Sequence, residues 1–174
     1  MTMFTRTARL LAASTFALAA ATFAMPAAAD ATPAANYSDM WYLPSESGWG
    51  ISFVQHTSNR VYAVWYTYDP RVNASPPDPA SNFVPLWIVL AGGGSWTTPN
   101  TYTGPVYVTN GVPFNQSGSS TTVTPVGTFT FTFTDANNGT FAYNIAPPAG
   151  LASTDPAFGL PSFSGTKNIT RNAF

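Results

Sequence analysis

The segment Ser-Glu-Ser-Gly-Trp-Gly-Ile-Ser-Phe-Val-Gln-His, residues 45–56, gathers the groups best able to do chemistry. It holds a carboxylate at Glu46, the chain's single histidine at His56, and Trp49 between Gly48 and Gly50. A carboxylate and an imidazole in one place can move protons or bind a metal. The spacing argues against that here. Residues 49–56 read as one strand, and about 3.3 Å per residue puts Glu46 and His56 roughly 30 Å apart. His56 borders the turn Thr57–Arg60 and reads as a strand-end surface residue.

Glu46 has a better candidate partner. The next run, Val61 to Asp69, returns to the same end, so Asp69 is expected near Glu46. A carboxylate pair is the minimum equipment of a glycoside hydrolase. Asp69-Pro70 is also an ordinary turn opening, where the Asp side chain caps backbone amides. No catalytic residue is assigned on that basis. The glycines beside Trp49 read either as a bend with the indole capping a core, or as bare backbone leaving room for a ligand. Gly92-Gly93-Gly94 lacks the Lys and the helix of a phosphate loop. With no cysteine and one misplaced histidine, Cys-His and Ser-His nucleophiles are unsupported, and so are His/Cys metal sites. A calcium site from Asp and backbone oxygens in the long loops stays open, with little support because no spaced acidic loop occurs. No metal and no cofactor are expected.

The elements that must carry these residues are strands. Arg6 and Arg9, the apolar run Leu10 to Met25 and the small residues Ala27-Ala28-Ala29 make residues 1–29 a secretory signal peptide. Residues 30–39 are expected to be an N-terminal extension, and 40–174 a single antiparallel β domain. After the leader, four basic residues face seven acidic ones, with no basic cluster, so nucleic-acid binding lacks its electrostatic footprint. Charged residues are 7% of the chain and aromatics 15%, a composition suited to pleated sheet.

Period-2 runs separated by turn residues follow one another. In Thr128–Thr134 three Phe alternate with four Thr, and Asn138-Gly139 turns the chain into Thr140–Ile145. Strands are expected near 40–43, 49–56, 61–69, 83–91, 101–109, 126–135, 140–146 and 165–173. Long Pro/Gly/Ser-rich connections alternate with tight ones, which in a meander gathers the long ones at one rim. The expected fold is all-β: an up-and-down antiparallel meander of 7–8 strands in a small closed or nearly closed barrel, with a β-sandwich as the alternative.

Tryptophans fall at 41, 49, 65, 87 and 96. Tyr62, Tyr66 and Tyr68 share one face of their strand with Val64, and Trp65 shares the other with Val61 and Ala63. The run Pro85–Leu90 is apolar on both faces, as a strand covered on both sides would be. Most of these rings must be core. Tyr and Trp also offer a flat apolar face with a polar edge, which suits sugars. The function this supports is a secreted or periplasmic, non-enzymatic β-barrel module. Its small-molecule or glycan-like ligand would sit at the long-loop rim, with Trp41, Glu46, Trp49, Tyr66, Tyr68 and Asp69 as contacts. The alternatives are a structural or protein-interaction domain and an eight-stranded outer-membrane barrel. Against the membrane reading, Asn172, Thr170, Asn168 and Thr166 line one face of the last strand, and Gly104-Pro105 interrupts another.

The segments SGWGISFVQ, AVWYTYD, PLWIVLAGG, YTGPVYVTNG, VGTFTFTFTD and KNITRNAF, in that order, resemble a group of small secreted bacterial β-domains. The resemblance spans about residues 40–174. It implies an all-β secreted domain and brings no functional residues with it.

Overall fold

The computed structural model describes residues 30–72, 83–118 and 120–173. The expected leader, the Pro-rich stretch 73–82 and Phe174 lie outside them. Among the described residues nine strands follow in chain order: β1 (Asp39–Tyr42), β2 (Gly50–Gln55), β3 (Val61–Tyr68), β4 (Pro85–Ala91), β5 (Ser95–Thr98), β6 (Thr101–Gly111), β7 (Thr121–Phe133), β8 (Asn138–Ile145) and β9 (Phe163–Arg171).

Every pairing is antiparallel. The ladder runs β4-β3-β2-β1-β9-β8-β7-β6, and β6 pairs back to β4, so eight strands close into a barrel and the sandwich alternative is set aside. The remaining strand, β5, pairs only with β6. It was not anticipated, because it is four residues long and hemmed in by Gly92–Gly94 and Pro99. Val89 and Leu90 of β4 pair with Tyr107 and Val106, while Ser95 and Trp96 of β5 pair further along the same edge with Thr103 and Tyr102. The chain steps from one strand to the other where Gly94 and Gly104 lie backbone to backbone, with no room for a Cβ on Gly94. Pro105 sits at this step, so its missing N–H removes little from the ladder.

β7 begins at Thr121, five residues before its expected start. Pro125 falls at a bulge. Val106 pairs with Gly127 and Tyr107 with Pro125, leaving Val126 as the extra residue, buried in the core.

Alternation decides what fills the barrel. Phe129, Phe131 and Phe133 of β7 point inward with Phe141 of β8, Phe53 of β2 and Trp65 of β3. Ring centroids lie 5.0 Å apart for Phe53–Phe131, 5.1 Å for Phe131–Phe141 and 5.3 Å for Trp65–Phe141. Burying each such ring contributes roughly 1.5–3 kcal/mol. The interior is thus a packed aromatic core. Facing outward from β7, β8 and β9 are Thr130, Thr132, Thr140, Ser164, Thr166 and Asn168, the solvent half of the same alternation.

Both ends are closed. At the tight-turn end the N-terminal segment folds under the barrel. Ala31 N donates to Trp96 O (2.8 Å), and Tyr37 stacks on Phe133 at 3.9 Å. At the long-loop end the connection 146–162 folds inward and buries Ala157 and Leu160. It is latched there by Thr124 Oγ1, which donates to both Asp155 carboxylate oxygens (2.9 and 2.8 Å).

Candidate functional site

The six residues expected at the site do not form one constellation. Trp41 is 1% exposed, its indole N–H donates to Tyr37 O, and its ring packs on Phe133. It belongs to the core at the tight-turn end, away from the long-loop rim. Glu46 and Trp49 do lie at that rim, together. Trp49 Nε1 donates to Glu46 Oε2 (3.0 Å), and Lys167 of β9 reaches the same oxygen at 2.5 Å with its ammonium 5.8 Å from the Trp49 ring centroid. Lys167, followed by Trp49, holds the Glu46 carboxyl below its ordinary value. The Trp49 ring turns inward, edge-on to Trp65 at 6.4 Å.

Gly48 adopts φ +97°, and Tyr68 packs where its side chain would be. Gly50 pairs with Tyr66. Gly48 thus lies against the outward Tyr68 and Gly50 sits in the ladder opposite Tyr66, while the tryptophan between them caps the core.

Tyr66, Tyr68 and Asp69 come together on the outside of the barrel. Tyr66 meets Trp87 of β4 edge-to-face at 5.7 Å, and Tyr68 meets Phe83 at 5.9 Å. Trp87 is 61% exposed, contrary to the expectation that β4 is covered on both faces. Sequence reasoning passed over Trp87 for that reason. The usable signal was its place opposite Tyr66 on a neighbouring strand, which only the register reveals.

Beside Trp87 the wall opens. β4 pairs with β6 only at Val89 and Leu90, so the β6-facing edge of Pro85–Ile88 and the β4-facing edge of Val108–Gly111 diverge. Between them lies a groove of about 420 Å³ bordered by Asp69, Arg71, Trp87, Val89, Thr109 and Pro156. Arg71 builds its end. Its Nε and Nη2 donate to the Asp69 carboxylate (2.8 and 2.6 Å), and its Nη1 donates to Pro156 O and Phe158 O at 2.9 Å each. Arg71 in turn holds the Asp69 carboxyl below its ordinary value.

Glu46 and Asp69 are therefore each bound to a cation of their own and held ionised. A carboxylate pair that cleaves glycosides by acid catalysis needs one member protonated near neutral pH, so this arrangement is set up against such a role. His56 is exposed at the far end, its Nδ1 2.8 Å from Ser58 Oγ. Among the described residues no three His, Cys, Asp or Glu side chains are grouped to hold a metal. No protein family, curated protein or solved structure matches the chain.

Proposed function

We propose that the protein is a non-enzymatic binding module that takes a small, glycan-like ligand on its outer wall, in the groove between β4 and β6. The observation that carries this reading is the exposed Trp87 ring standing beside two unpaired strand edges. An aromatic face stacks on the apolar face of a sugar, and free backbone N–H and C=O groups meet its hydroxyls. Tyr66 supports Trp87 from the side. Asp69 and Arg71 fix the groove's end, and Glu46 and Trp49 order the neighbouring rim. The packed interior directs the reading to the outside of the barrel.

The leader-like N-terminus and the resemblance to small secreted bacterial β-domains support a secreted or periplasmic location. The outward Thr, Ser and Asn of β7–β9 favour water over lipid on that wall, which weighs against an outer-membrane barrel. A protein-interaction reading has one observation of its own. Phe114, in the β6–β7 connection, is 103% exposed, and Val112 of the same connection and Val123 of β7 are exposed too.

The test is a tryptophan fluorescence titration of residues 30–174 with glycans and apolar small molecules. A saturable change is expected. Trp87→Ala should weaken binding by about 2 kcal/mol, roughly thirtyfold, as loss of a central aromatic anchor does. Its unfolding midpoint should stay put. A flat titration across the panel refutes the binding-module reading.

A further inference from the structure

Resting on the binding-module reading, we infer that the ligand of the β4–β6 groove is an uncharged saccharide, and that acidic glycans are excluded. Among the described residues the one cation bordering the groove is Arg71, and its five N–H groups are nearly all committed. Nε and Nη2 serve Asp69, and both hydrogens of Nη1 serve the Pro156 and Phe158 carbonyls. A single N–H on Nη2 is left over. That is enough for one hydroxyl, and too little for the two-pronged grip by which an arginine holds a carboxylate or phosphate.

Asp69 is equally engaged. Its side chain is 10% exposed and accepts from the Arg71 backbone N as well as from the guanidinium. The other charges of the long-loop end among the described residues are also occupied: Lys167 by Glu46, and Asp155 by Thr124 Oγ1 and Ala157 N. Asp155 has no cationic partner, so the end carries one net negative charge among these residues. An acidic ligand would lose hydration in the groove and find no free cation.

The uncommitted hydrogen-bonding groups are neutral ones. Among the described residues they are the β6-facing backbone groups of Leu86–Ile88, the β4-facing ones of Val108–Gly111, where ladder pairing stops, and the Thr109 hydroxyl. Alternating donors and acceptors next to an exposed indole match a ligand rich in hydroxyls and without charge.

The experiment is isothermal titration of the described domain with neutral oligosaccharides of glucose, xylose and mannose, against galacturonic- and mannuronic-acid oligomers of matched length. Each is measured at about 20 mM and about 300 mM salt. The expected result is saturable binding of at least one neutral oligomer, with affinity constant to within about twofold across the salt range, and no acidic oligomer binding within about tenfold of it. An acidic oligomer that binds more tightly, with affinity falling as salt rises, overturns the inference and leaves the binding-module reading standing. Silence from both sets refutes the saccharide reading and the inference with it.

Discussion

Arg71→Ala should unfasten the loop that closes the long-loop end. The substitution removes two hydrogen bonds to the Pro156 and Phe158 carbonyls and the ion pair to Asp69. A buried charge-assisted hydrogen bond contributes about 1.5–3 kcal/mol. The Arg71 side chain is 29% exposed, so solvent screening brings the whole set down to roughly 1–2 kcal/mol. That is the loss if the loop stays seated. If it lifts, the buried Ala157 and Leu160 side chains leave the core and add about 2–3 kcal/mol. Urea unfolding reads the total. Amide exchange separates the two cases, because Phe158 N and Leu160 N, bonded to Asp155 O and Ala157 O, exchange faster only if the loop lifts.

The effect has a defined pH dependence. The Asp69 carboxyl is held below its ordinary value of 3.8 by Arg71, so its contribution is fully present above that value and is lost as pH falls through the folded value. The difference between wild type and Arg71→Ala should be constant at neutral pH and shrink in acid, below about pH 4. An unchanged urea midpoint together with unchanged exchange at 157–160 would show that Arg71 holds nothing.

Phe131→Ala, at the centre of the ring cluster, should cost about 3–5 kcal/mol by denaturant unfolding, and a loss under about 1 kcal/mol would mean that the barrel interior is loosely filled. Gly127→Ala should cost about 1–3 kcal/mol, because Gly127 adopts φ +145° and an added Cβ would overlap the Asn144 carbonyl oxygen. An unshifted melting temperature would contradict the bulge. Glu46→Gln should leave saccharide affinity within about twofold, since Glu46 orders the rim and does not border the groove. A loss near that of Trp87→Ala would move the site to the Glu46–Trp49 cluster.

Much of the fold was legible because strand alternation is a local property. The Phe/Thr alternation of 128–134 and the alternation of 140–145 mark β7 and β8 without any knowledge of neighbours, and the alternating loop lengths imply the two unlike rims; the turn itself falls at 134–137, and Asn138 and Gly139, expected to make it, are the first paired residues of β8. Elements whose existence depends on partners were harder to read. β5 is a strand because β6 offers it an edge, and β7 starts early because a bulge accommodates Pro125. The site was legible in part. Tyr66, Tyr68 and Asp69 do share one region, since strand period and rim assignment place them there. Trp41 was misplaced because a Trp near a loop reads the same whether its ring turns in or out. Trp87 and Arg71 were missed because their roles arise from register and from a loop contact across 85 residues of sequence.

On the binding-module reading the ligand lies on the outer wall between β4 and β6. Hydrogen exchange with and without a saturating neutral oligosaccharide tests it most directly. Slowed exchange at Leu86–Val89 and Thr109–Gly111, with none at the core amides of Phe129–Phe133, is the predicted footprint. Protection confined to residues 43–49 or to the tight-turn end would contradict it.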